Sequence, residues 1–266
     1  MLNVAAYLDR IRYAGATEPS VETLRALHRA HMLSVPFENL DIHLGRPIVC
    51  DEESFIRKIV SERRGGFCYE LNGALAALLR ALGFRVTLLS ARVARADGSG
   101  DGPEYDHLAL RVDVPETSAL PGASSQADSW LADVGFGDNF LEPLRFEPGL
   151  EQSQIGRVYR LVEIDGRFNM EVRIGETWKR QYSFAMEPRQ LSEFAAMCRY
   201  HQTSAASHFT QQRLCSIATA QGRITLSDSR LIETRGSQRE EREVVEGPQR
   251  RATLRELFGV ELPGAP

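Results

Sequence analysis

Arg64-Gly65-Gly66-Phe67-Cys68-Tyr69-Glu70-Leu71-Asn72 places one cysteine at the junction between a diglycine turn and a strongly helical run. The first backbone N–H groups of a helix have no partner within it. Together with the helix dipole they favour negative charge, which lowers a cysteine pKa from its free value of about 8.5. Cys68 is the first candidate nucleophile. Gly65 and Gly66 allow close backbone approach to a ligand, and Arg64 adds positive potential.

Upstream of this stretch the chain reads as helices. Residues 3–14 and 20–33 have apolar spacing near 3.6, with Pro19 and Ser20 starting the second. Asp51 caps a third helix whose stripe is Phe55, Ile56, Ile59 and Val60 and which stops at Gly65. The helix opened by Cys68 carries Leu71, Leu75, Leu78, Leu79 and Leu82 before Gly83. From Arg85 the period changes to two, giving strands near 85–93, 107–114, 130–134, 158–164, 168–174 and 177–185, a sheet or barrel. Asp165-Gly166 is a hairpin signal, and 115–129, rich in Ser, Ala, Gly and Pro, reads as a long mobile loop. A helix at about 188–200, strands near 222–234 and 240–246, and a short helix at about 249–258 complete the chain.

Two strands add chemistry to the cysteine. His107 opens the alternating run Asp106-His107-Leu108-Ala109-Leu110-Arg111-Val112, and Asp133 lies in Trp130-Leu131-Ala132-Asp133-Val134, which stops at Gly135-Phe136-Gly137. A carboxylate among Leu131, Ala132 and Val134 is costly to bury unless hydrogen bonds are donated to it, and an imidazole is one such donor. Cys68, His107 and Asp133 therefore fit the logic of nucleophile, base and orienting group. Taken singly, each has a plainer explanation as a structural thiol, a satisfied strand histidine or a turn aspartate. The six histidines, at 28, 31, 43, 107, 201 and 208, show neither H-E-x-x-H nor pairing with nearby cysteines, so no metal site is expected. His28 and His31 share a helix face that reads as solvated. Gly135-Phe136-Gly137 does not extend to a dinucleotide or phosphate loop, and G-x-S-x-G does not occur.

Composition narrows the partners. With 266 residues, 42% hydrophobic, 26% charged and a formal net charge of −4, the chain is an ordinary globular protein without an overall basic field, so nucleic acid is not an expected partner. Asp9, Arg10 and Arg12 interrupt the first apolar pattern, which argues against a secretory signal or membrane span and for a cytoplasmic location. Cys50, Cys68, Cys198 and Cys215 are widely spaced and contain no C-x-x-C pair, so free thiols are expected.

These residues resemble the arylamine N-acetyltransferases. The likeness rests on Arg64-Gly65-Gly66-Phe67-Cys68-Tyr69-Glu70, on His107 at a strand start, on Asp133-Val134-Gly135-Phe136-Gly137, and on Pro36-Phe37-Glu38-Asn39-Leu40, with Ser207-His208-Phe209 extending it more loosely. The resemblance implies an α+β fold with a cysteine-protease-like Cys-His-Asp core, in three parts: a helical bundle over 1–84, a β-barrel over 85–186 and an α/β lid over 187–266. It implies acetyl-CoA as acyl donor, an arylamine or hydrazine as acceptor, and a ping-pong reaction through an acetyl-cysteine, with Cys68 the nucleophile, His107 the base and Asp133 the orienting residue. Phe37, Phe136 and Phe209 would line the acceptor and cofactor cleft, with Gly135 and Gly137 close to the coenzyme. Asp106 departs from the small hydroxyl residue common in relatives, which bears on cofactor approach and local pKa. An amide synthase of the same family, closing a macrolactam, is the alternative. The acceptor, the acyl-chain preference and the oligomeric state are not encoded in these patterns.

Overall fold

The computed structural model describes residues 2–95, 97–115 and 128–262. Helices α1 (Val4–Arg10) and α2 (Val21–Ser34) open the chain, followed by strand β1 (Phe37–Glu38), the short helix α3 (Leu40–His43), and α4 (Glu52–Ile56), which runs into a π-helical turn at Arg57–Ser61. Side-chain oxygens of Asn3, Ser20 and Asp51 accept the N–H groups of Ala6, Thr23 and Ser54, capping α1, α2 and α4. The first helix is shorter than its apolar spacing predicts. Arg10 turns inward at its end and donates to the carbonyls of Ser34, Ile59 and Arg64, and Arg12 then takes a left-handed φ of 56°.

Helix α5 (Cys68–Ala81) is buried without a break from Cys68 to Leu79. It is the central rod of the main core. Leu24, Leu27 and Phe55 pack on it from one side, and Leu108, Leu110, Val112 and Trp130 from the other.

The barrel strands are β2 (Arg85–Val93), β3 (His107–Val114), β4 (Asp128–Ala132), β5 (Leu144–Arg145), β6 (Gln152–Gln154), β7 (Arg157–Ile164), β8 (Arg167–Ile174) and β9 (Thr177–Phe184). Their order is β5-β4-β3-β2-β9-β8-β7-β6, every pairing antiparallel. Asp165 and Gly166 both have positive φ, 51° and 73°, the turn that the hairpin signal predicts. Residues 116–127 of the predicted mobile loop lie outside the described residues.

The seam between β5 and β6 is spanned by side chains. The Gln152 amide donates to the Arg145 carbonyl and accepts its N–H, and Gln154 does the same with Glu142. Each amide stands in for one rung of a ladder. Strand alternation then separates two cores: Leu108, Leu110 and Val112 face α5, whereas Ala109 joins Leu89, Leu131, Phe140, Tyr182 and Phe184 inside the barrel.

After a 3₁₀ turn at Leu191–Phe194 come α6 (Ala195–Thr203), α7 (His208–Gln211), strands β10 (Leu214–Thr219), β11 (Gly222–Ser227), β12 (Arg230–Arg235) and β13 (Gln238–Glu243), and α8 (Pro248–Phe258). The region expected as one strand over 222–234 is a hairpin, with Asp228 at φ 48° in its turn, and β10 precedes it. Strand β1 pairs with β10, so a segment from the helical third forms the edge of the C-terminal sheet. The other edge, β13, is exposed along its whole length and carries Arg239, Glu240, Glu241, Arg242 and Glu243, charges that discourage pairing with another chain. Among the described residues no helix is long and apolar enough to cross a membrane.

The seam generates a stability test. Gln154→Ala removes two bonds to backbone in the half-buried part of the joint and is expected to cost about 1 kcal/mol, a drop in melting temperature of about 2–4 °C. Gln152→Ala, at the exposed end, is expected to cost less. Thermal denaturation of both variants beside the parent chain checks the ranking.

Candidate active site

Three side chains from three elements converge where α5 meets the barrel. Cys68 is the first residue of α5, and Glu70 fixes that start by accepting the Phe67 N–H at 3.1 Å. His107 is the first residue of β3, on the barrel face of that strand together with Ala109. Register does the rest: Leu110 pairs with Ala132, so continuing one residue sets Asp133 opposite Ala109 and diagonal to His107. The His107 Nε2 lies 2.9 Å from Asp133 Oδ2, and His107 and Cys68 are close enough for each to shift the ionisation of the other. With Nε2 engaged by the carboxylate, Nδ1 is the nitrogen left for sulfur.

Asp133 is fully buried. Its Oδ1 accepts from Asn72 Nδ2 at 2.9 Å and the Gly135 N–H at 3.0 Å, and its Oδ2 from His107, from Asn139 Nδ2 at 3.0 Å and from Tyr182 OH at 2.9 Å. Burial opposes ionisation, but the His107 charge and these donors hold the carboxyl below its usual range. Burial likewise opposes a charged imidazole, and the Asp133 carboxylate overcomes it, holding His107 protonated up to about 10.

Cys68 differs from the sequence expectation. Burial pushes its thiol above the ordinary value, while the His107 hydrogen bond and charge and the Leu108 N–H pull it down, and Asp106 adds to the rise. A helix start favours the thiolate, but this one is almost wholly excluded from water, and desolvation is the larger effect.

Arg64 also acts otherwise than expected. Arg64 is buried and its charge is taken up by Glu38 at 2.8 Å and Asp41 at 3.1 Å. Lys58 sits beside them, 2.8 Å from Glu70 and 2.9 Å from Asp41. Burial raises Glu70 to about 7, so this cluster of three carboxyls and two cations approaches neutrality by holding a proton. Gly65 is required by the packing of the chain itself, since a Cβ there would come within 2.0 Å of the Pro36 carbonyl oxygen.

His28 and His31 do not form a solvated face; both are completely buried. His28 accepts the Asp133 N–H on Nε2 at 3.0 Å, donates from Nδ1 to the Leu141 carbonyl at 2.8 Å, and stacks on Phe140. Burial pushes it down to about 4, so it is neutral and able to accept. His31 lies against Tyr7.

Local sequence pattern gives Asn72, Asn139, Tyr182 and His28 no role at the site. Asn72 had a signal: it stands four residues after Cys68, hence on the same helix face. It joins three elements, donating to the Leu108 carbonyl at 2.6 Å and to Asp133 and accepting the Val134 N–H at 2.9 Å.

Cys68 and His107 open onto a cavity of about 480 Å³. Phe37, Phe136, Phe209, Gly135 and Gly137 all line it. Phe136 packs edge-on to His107 with ring centres 5.3 Å apart. Asp106 also reaches the wall, its Oδ1 3.1 Å from Nε2 of His201 on α6, where the barrel meets the C-terminal segment.

A family model described as N-acetyltransferase matches residues 20–265. The arylamine N-acetyltransferase of Mycobacterium tuberculosis is 33% identical over 97% of this chain and 89% of its own length. The solved structure of the Salmonella typhimurium arylamine N-acetyltransferase superposes with a TM-score of 0.89 at 30% identity, covering 99% of this chain and 93% of that one. The Mycobacterium marinum enzyme in complex with CoA gives a TM-score of 0.85 at 31% identity, with 97% and 93% covered. Sequence, architecture and the meeting of Cys68, His107 and Asp133 lead to one conclusion: this chain belongs to the arylamine N-acetyltransferase family.

Proposed function

We propose that this chain transfers the acetyl group of acetyl-CoA to the nitrogen of arylamines and arylhydrazines, with Cys68 carrying the acetyl group between two half-reactions. The observation that carries the reading is the 2.9 Å contact between His107 and Asp133 with the other face of the imidazole on a thiol that opens into an aromatic-lined cavity.

In the first half-reaction Cys68 and His107 hold one proton between them, carried by the imidazole, and the Cys68 thiolate facing that imidazolium attacks the thioester carbonyl. The carbon–sulfur bond to CoA breaks, and CoA leaves with the proton from His107. In the second, the amine nitrogen attacks the acetyl-cysteine, its proton passes to the now neutral His107, and the Cys68 sulfur is released. Both tetrahedral intermediates carry an oxyanion, for which the N–H groups at the start of α5 are suitable donors. An arylamine is weakly basic and stays unprotonated at neutral pH, and Phe37, Phe136 and Phe209 offer its ring apolar surface. Residues 1–84 would then supply the nucleophile, 85–186 the base and orienting carboxylate, and 187–266 one wall of the cleft.

Acetyl-CoA alone should leave one acetyl group on the peptide containing Cys68, and adding an arylhydrazine should remove it; an unmodified Cys68 in active enzyme would overturn the scheme. Asp133→Asn, which removes the acceptor for the His107 N–H and the charge opposite it, is expected to lower kcat by on the order of 10²–10⁴-fold. Steady-state rates measure that loss.

The ion pair also sets a pH dependence. His107 is charged to about 10 when folded against about 6.5 when free, so its stabilisation is complete below about 6.5 and is lost as pH rises through about 10. Asp133 acts at the other end: its stabilisation is present above the ordinary carboxylate range and disappears as pH falls through its lowered folded value. Glu70, at about 7, is present in parent and variant alike, so its titration cancels in their comparison. Melting temperatures from about pH 7.5 to 10 should therefore fall more steeply for the parent than for His107→Gln; parallel slopes would contradict the ion pair.

A further inference from the structure

Two thiols far apart in sequence meet beside the site. Cys198 lies on α6 and is almost wholly buried, while Cys50, directly before the Asp51 cap of α4, is partly exposed. Gln202, one turn after Cys198, holds their two segments together: it donates to the Ile48 carbonyl at 3.0 Å and accepts the Ile48 N–H at 2.7 Å, while its amide nitrogen reaches Cys198 Sγ at 3.4 Å. Cys50 Sγ lies 3.8 Å from the Leu191 carbonyl oxygen in the 3₁₀ turn ahead of α6, and each of the two thiols shifts the ionisation of the other.

We propose that Cys50 and Cys198 form a redox modification site, oxidised by a hydroperoxide to a disulfide that ties α6 to the segment ahead of α4. The two thiols have unequal parts. Cys50 is the accessible one, and its interaction with Cys198 outweighs burial and the Asp51 charge to bring its thiol below the ordinary value; the same interaction and burial push Cys198 up. Cys50 is therefore attacked first. Its sulfur takes one peroxide oxygen, the O–O bond breaks, and water and a Cys50 sulfenic acid result. Cys198 then attacks the Cys50 sulfur, the S–O bond breaks, and a second water leaves with the Cys198 proton. Two thiols have given two electrons to one peroxide.

The location gives the bond a consequence. Helix α6 carries His201 and leads into α7, which carries Phe209 on the cavity wall, so oxidation fixes that wall to the helical third of the molecule.

Treating the full-length chain with a small excess of hydrogen peroxide, alkylating the remaining thiols and digesting without reductant reads the outcome by mass spectrometry. A linked peptide joining Cys50 to Cys198, abolished by dithiothreitol and missing from Cys50→Ser, is the expected result. The proposal fails if both thiols are recovered alkylated after Cys68 has been oxidised, if Cys50 is found only as sulfinic or sulfonic acid, or if Cys198 is linked to Cys68. None of these outcomes depends on the amine substrate.

Discussion

One buried carboxylate organises the molecule. Asp133 lies out of contact with water and accepts from Asn72, Gly135, His107, Asn139 and Tyr182. A desolvated charge of this kind is tolerable only where its lone pairs are filled, and taking away a partner of a buried pair costs about 3–5 kcal/mol. The donors come from α5, β3, β9 and the loop after β4. Satisfying one side chain thus fixes how the helical rod sits on the barrel, and that placement brings the cysteine at the rod's first turn against the imidazole at the first residue of β3.

The same logic explains why so much polar material lies around the site. His28 accepts the Asp133 N–H, which the strand ladder no longer uses, and Asn72 spans α5, β3 and the Val134 N–H. Beneath the start of α5, Lys58 and Arg64 are locked among Glu38, Asp41 and Glu70. The charge of Arg64 is neutralised there and is not available to the cavity. The positive charge that faces the sulfur comes from His107, held in place by Asp133. Rigid ionic packing below and one oriented ion pair above leave Cys68 little freedom to move, which is what positioning a nucleophile requires.

The sequence made legible whatever depends on local pattern. The change of period at Arg85, the Asp165-Gly166 turn, and the ionisable residues lying within apolar runs at 107 and 133 are properties of neighbours in the chain. What escaped depends on partners far away. His28 and His31 read as a solvated pair because a helix face with histidines is usually wet; only Leu141, Asp133 and Tyr7 make their burial affordable. The side-chain rungs of Gln152 and Gln154 replace a ladder that period-two reading looks for in apolar residues, and β1 is two residues long, too short for any periodicity. The thiol pKa at Cys68 departs from the local pattern for a similar reason: the helix start is visible in sequence, whereas the depth of its burial is set by the whole core.

The loop after Asp133 reconciles two demands that otherwise conflict, a carboxylate with no solvent contact and a reactive sulfur that substrate can reach. At Gly135 a Cβ would lie 2.7 Å from the Cys68 Cα, so the backbone passes directly over the helix start, and its N–H turns back to Asp133. Gly137, at φ 90°, then turns the chain beneath the ring of Phe37. Between them Phe136 covers His107 and faces the cavity. Within four residues the chain passes from the interior to the cleft wall; Gly135 is required where a side chain would press on α5, and Gly137 where the backbone takes a left-handed turn. Water is thereby kept from the Asp133–His107 pair, which strengthens it, while the opposite side of the imidazole stays in reach of the sulfur.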